Sequence, residues 1–160
     1  MVIAIIGERC TGKSALAAAI CEKVHARVFT GGDYLELAED PREARHRFME
    51  LLSEHTGEDR IFICIITDHA QLALLPDDCF RVLCKSSLTT VKQRFSAMLE
   101  APLTLPIVQM LTKQHGMFDG CRHHLTLDTE DADLSLLAVE ILDLAQQMER
   151  ERTVAQDTDT

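Results

Sequence analysis

Apolar and polar positions fall in blocks along this chain, and the block lengths predict strands interleaved with helices. Val2 to Ile6 is a short β-branched run, and Lys13 to Val24 follows with helical periodicity and abundant alanine. Arg27 to Thr30 reads as a brief second strand closed by Gly31-Gly32. From Asp33 to His55 the pattern is helical, with Pro41 opening a new helix as its first residue. Ile61 to Ile66 is apolar throughout, as in a strand buried on both faces. His69 to Leu75 fits a short helix ending before Pro76. Phe80 to Cys84 reads as a fourth strand, and Leu88 to Leu99 as a helix capped by Ser86 or Ser87. Pro102 and Pro106 precede a helix from Ile107 to His115, and Gly116 and Gly120 flank a turn. Leu125 to Leu127 forms a fifth strand. Leu134 to Met148 is a closing amphipathic helix, and the polar tail from Thr153 to Thr160 is expected to be disordered.

Short strands alternating with helices imply an α/β fold, a parallel sheet of five strands covered on both faces. The 160 residues fit a single domain, taken as residues 1–152. Charge narrows the partners. Sixteen basic residues face 26 acidic ones, for a net charge of −10, which argues against polymeric nucleic acid as a ligand. A local basic pocket for a nucleotide remains compatible with that balance. No apolar run approaches the roughly 20 residues of a membrane span. Met1-Val2-Ile3 lacks a basic leader, so no membrane association and a cytoplasmic location are expected. The six cysteines show no C-x-x-C pair and are expected to be reduced thiols.

The chemistry concentrates at Gly7-Glu8-Arg9-Cys10-Thr11-Gly12-Lys13-Ser14, a full match to G-x-x-x-x-G-K-[ST] between a predicted strand and a predicted helix. Glycines let such a loop curl so that backbone N–H groups turn toward phosphate oxygens. The helix that follows adds its unpaired N–H groups and positive dipole end. Lys13 then reaches the β- and γ-phosphates, and the Ser14 hydroxyl is placed to ligate Mg²⁺. Cys10, close to that helix start and to Lys13, is expected to lean toward its thiolate.

With this loop in place the layout resembles the small P-loop nucleoside and nucleotide kinases, closest to the cytidylate-kinase-like group. The resemblance implies a three-layer P-loop NTPase fold with a short lid at residues 100–121. It also implies ATP and Mg²⁺ as cofactors and a small-molecule phosphoryl acceptor. Phe29-Thr30-Gly31-Gly32-Asp33-Tyr34-Leu35 resembles the start of the acceptor-binding helices, with Asp33 either facing the acceptor or capping a helix. Asp68 ends the strand Ile61–Ile66 with Thr67. It either holds Mg²⁺ through water or acts on the acceptor hydroxyl, or else caps the helix from His69. Arg94 matches the arginine that lies against the nucleotide, and Asp128-Thr129 matches the pair that ends the last strand, so that Thr129 borders the base. Both also suit the start of the last helix.

One departure stands out: residues 95–121 contain no arginine, only Lys113, where such kinases supply several to neutralise the moving phosphoryl group. Two functions follow. The first is ATP- and Mg²⁺-dependent phosphoryl transfer to a small nucleotide, nucleoside or other hydroxyl metabolite, with Lys13, Arg94, Asp33 and Asp68 as catalytic candidates. The alternative is an ATP-binding regulatory or interaction protein with weak or no turnover. The absence of N-K-x-D and of D-x-x-G after a strand argues against a hydrolysing GTPase switch.

Overall fold

Residues 1–54 and 60–159 are described by a computed structural model of the chain. Strands β1 (Val2–Ile6), β2 (Ala26–Thr30), β3 (Ile61–Ile66), β4 (Phe80–Lys85) and β5 (Leu125–Asp128) alternate with helices. These are α1 (Lys13–Cys21), α2 (Pro41–Glu54), α3 (Leu88–Leu99), α4 (Leu105–Gln114) and α5 (Leu134–Thr158). Two 3₁₀ helices, Asp33–Leu37 and His69–Leu74, follow β2 and β3. The strands form one sheet in the order β2-β3-β1-β4-β5. Every pairing is parallel, with Ile3 opposite both Ile63 and Phe80 and Val82 opposite Leu125.

The period-2 geometry of a strand sorts side chains onto two faces. Ile3, Ile5, Ile63 and Val82 meet Leu16 and Ile20 of α1 and Ile141 of α5 on one side. Ala4, Ile6, Phe62 and Leu83 meet Phe48 and Leu52 of α2, Leu74 and Phe118 on the other. Phe29 sits at the edge of this second core, its ring 4.9 Å from that of Phe48 in an edge-to-face pair. A smaller cluster of Val91, Phe95 and Leu111 joins α3 to α4. At about 1.5–3 kcal/mol for each large apolar side chain buried, the two sheet faces dominate the fold's stabilisation.

The sequence-based elements hold, with shifted ends. Helix α4 starts at Leu105, so Pro106 lies inside its first turn rather than ahead of it. The expected extension of α2 to His55 lies outside the described residues, as does Thr160. The disordered tail is corrected: α5 continues to Thr158. Its last turns are supported by the Arg152 pairs with Glu149 and Asp78 and by Thr153 Oγ1 donating to Glu149 O at 3.0 Å. Among the described residues no helix is long and apolar enough to cross a membrane.

Candidate functional site

The turn between β1 and α1 lies at the carboxyl end of the central strand, with β3 on one side and β4 on the other. The connection from β1 runs toward the β2 edge and that from its neighbour β4 toward the β5 edge, and a crevice opens between them. Gly7 is pinned by its N–H to Ile66 O at 3.1 Å. A Cβ at Gly7 would lie 2.5 Å from Thr11 Oγ1 and 2.8 Å from Cys84 O, so no side chain fits. Gly12 has φ +85°, the left-handed region that glycine enters without penalty. Cys10 adopts φ 62° although it carries a Cβ.

Inside the loop, Glu8 O accepts from Thr11 Oγ1 at 2.8 Å and from Lys13 Nζ at 2.6 Å. Thr11 and Lys13 are both buried. Burial pushes the Lys13 ammonium down to about 8, against the favourable field of Glu8. The side chain is therefore folded over the loop, and a polyphosphate would replace one carbonyl acceptor with several anionic ones. Ser14 is exposed and lines the cleft.

Two residues from distant elements brace the loop. Thr129, buried just after β5, donates from Oγ1 to Thr11 O at 2.6 Å and lies 2.8 Å from Ser86 Oγ. Arg94 of α3 donates from Nη1 to Cys10 O and Ser86 Oγ, both at 3.1 Å, and from Nη2 to Thr129 O at 3.1 Å. The guanidinium expected against the nucleotide is thus engaged with loop carbonyls, although Arg94 still lines the cleft.

The cleft itself has a volume of about 700 Å³. It runs from Lys13 and Ser14 to Thr30 and Thr67 at the ends of β2 and β3. Phe95 and Met98 of α3 line it too, with Thr129, Asp131 and Ala132 ahead of α5 and Leu134 at its start. No residue of 100–118 lines it.

Asp33 and Asp68 border this cleft without lining it. Asp33 Oδ2 accepts from Thr30 N at 2.8 Å and Thr30 Oγ1 at 2.9 Å, and these bonds hold its carboxyl below the usual range. Asp68 caps the second 3₁₀ helix, accepting from Ala70 N at 2.9 Å, while Gln71 Oε1 returns to Thr67 N and Asp68 N. Asp68 takes the capping alternative, whereas Asp33 lies inside its 3₁₀ helix, which Gly32 precedes without a side-chain cap, and its carboxylate turns back to close the end of β2 at Thr30. Among the described residues no three His, Cys, Asp or Glu side chains gather as a metal site. Ser14 fits a Mg²⁺ held largely by phosphates and water, the manner in which that ion is commonly bound.

Cys10 departs from expectation. Burial pushes its thiol up, outweighing Lys13, Arg94 and Arg9, so the thiolate is disfavoured. One contact was not visible in the sequence: Glu8 Oε1 accepts from His115 Nδ1 at 3.0 Å and from Gly116 N at 3.4 Å. Nothing in the spacing of residues 107 positions apart signals it.

No protein-family model and no curated protein sequence matches the chain. Solved structures do. A shikimate kinase from Acinetobacter baumannii, in complex with shikimate, aligns over 91% of this chain and 93% of its own at TM-score 0.58 and 17% identity. A gluconokinase from Sinorhizobium meliloti aligns over 96% of both chains at TM-score 0.60 and 13% identity. The YorR protein of Bacillus subtilis, in complex with phosphorylated GDP, aligns over 91% of this chain and 96% of its own at TM-score 0.60 and 16% identity. The chain has the fold of the small-molecule P-loop kinases.

Proposed function

We propose that this protein is a small-molecule kinase that transfers the γ-phosphoryl group of ATP, with Mg²⁺, to a hydroxyl of a small metabolite in the cytoplasm. The observation that carries the reading is the Gly7–Ser14 turn, with the Lys13 ammonium buried over it at the head of an open cleft. In this reading the loop N–H groups and Lys13 grip the β- and γ-phosphates, and electrostatic positioning does most of the work. Ser14 holds the metal, which when bound neutralises charge on the phosphates. Arg94 and Thr129 keep the loop in shape. Thr30 and Thr67 border the acceptor end, where Asp33 and Asp68 are candidates to orient the attacking hydroxyl. By their names two of these solved structures are kinases of shikimate and gluconate, and the third holds phosphorylated GDP, so a nucleotide acceptor of the cytidylate-kinase-like kind is the narrower form of the proposal.

Arg94 also favours a second reading. Its guanidinium is engaged with Cys10 O and Thr129 O, and residues 95–121 supply no other arginine. A nucleotide-binding regulator with little turnover fits those facts. Incubation with ATP, Mg²⁺ and a panel of sugars, hydroxy acids, nucleosides and nucleotides decides between the two. Acceptor-dependent ADP release that disappears in Lys13→Ala supports the kinase. Binding lost in Lys13→Ala without acceptor-dependent release supports the regulator.

A further inference from the structure

We infer that the cleft selects its donor by the base, with Asp131 favouring guanine over adenine. This rests on the proposed phosphoryl transfer and changes its donor, from the ATP named there to GTP. Four carboxylates crowd the loop between β5 and α5, and three are engaged with backbone. Asp128 Oδ1 accepts from Glu130 N at 2.9 Å, and Glu130 Oε1 accepts from Ser87 N at 2.6 Å. Asp133 Oδ1 accepts from Ser135 N at 3.0 Å and Leu136 N at 3.3 Å. Asp131 is the exception: among the described residues its carboxylate takes no hydrogen bond and forms no ion pair. It is exposed and lies on the wall of the same cleft as Lys13.

The surroundings say what kind of group would meet it. Ala132 and Leu134, close to Asp131 in the chain, line the same cleft, as do Phe95 and Met98 of α3. Such apolar walls suit a flat heteroaromatic ring better than a ribose diol. A carboxylate is an acceptor only. Guanine offers it two neighbouring donors, N1–H and the N2 amino group, which match its two oxygens in a charge-assisted pair. Adenine offers one amino group beside the N1 lone pair, and that lone pair repels the second oxygen. The carboxylate's repulsion of the polyphosphate is common to both nucleotides, so the base alone sets the preference.

Calorimetric titration of the full chain with the Mg²⁺ salts of GTP, dGTP, ITP and ATP tests this. GTP is expected to bind at least about fivefold tighter than ATP, the discrimination of one bidentate pair. The dGTP affinity equals that of GTP, and ITP, which lacks the N2 amino group, falls between GTP and ATP. Asp131→Asn and Asp131→Gly bring the GTP/ATP ratio toward one; glycine suits the φ of 49° at this position, so the second variant guards against misfolding. Equal binding of GTP and ATP by the unaltered protein, or a ratio unmoved in both variants, overturns the inference. A dGTP affinity well below that of GTP assigns Asp131 to the ribose and overturns it too. Lys13→Ala separates the two levels. Nucleotide binding lost in that variant with a GTP/ATP ratio of one defeats the base assignment alone, whereas binding that survives it, or is absent from the unaltered protein, defeats the proposed function as well.

Discussion

Cys10 holds a left-handed conformation, φ 62°, that costs a residue with a Cβ about 1 kcal/mol. Its side chain packs beside Val91, Phe95 and Leu111. Comparing Cys10→Gly with Cys10→Ala isolates the backbone term, since both lose the sulfur. Urea unfolding is expected to find the glycine variant more stable by about 1 kcal/mol. Lys13 gives a second test at this scale. Burial lowers its folded value to about 8 from an ordinary 10.5, so the unfolded chain binds more protons between those limits. Stability of the nucleotide-free protein therefore rises with pH across that window. Affinity for a triphosphate runs the other way, because the bound form needs the ammonium; it is flat below pH 8 and falls above it. Unfolding and calorimetric titrations over that range check both signs. The loop was legible because its requirements are local: glycines where the turn closes and Lys13-Ser14 where the helix starts. The roles of Asp33 and Asp68 were not, because a carboxylate at a strand end serves a cap or a ligand equally well until the N–H groups around it are placed.

At the scale of elements, the segment expected to be a lid is fixed at several points. Leu111 buries it against α3, and Phe118 is fully buried against the sheet. His69 Nε2 meets Met117 O at 2.7 Å, and Lys85 pairs with Asp119 at 3.0 Å. Phe118→Ala is expected to cost about 3–5 kcal/mol in chemical denaturation. The brace at the end of β5 is tested by Thr129→Val, which keeps the shape and leaves the buried Thr11 O without its donor. It is expected to cost about 1–3 kcal/mol and to weaken nucleotide binding. The helices and strands themselves were readable from period and breakers, down to the 3₁₀ turn before Pro76. These tertiary bonds were not, since Thr129 and Thr11 stand 118 residues apart and no local pattern couples them.

For the molecule as a whole, alternating blocks implied the parallel sheet and its two covered faces. The order β2-β3-β1-β4-β5 could not be read from them, because β1, β3 and β4 are all apolar enough to lie at the centre. The C-terminal end of α5 shows the opposite limit. Its polar composition suggested disorder, yet the helix continues through residues whose side chains are mostly exposed. Ending the chain after Arg152 is therefore expected to shift stability by less than about 0.5 kcal/mol, read by thermal unfolding, since the Arg152 pairs with Asp78 and Glu149 are retained.

Arg94 carries a consequence for how a ligand is felt. One planar cation bonds Cys10 O ahead of α1 and Thr129 O ahead of α5, and with the Thr129–Thr11 bond it ties these two segments to each other. A ligand that shifts one of these segments is therefore expected to disturb the bonds that hold the other.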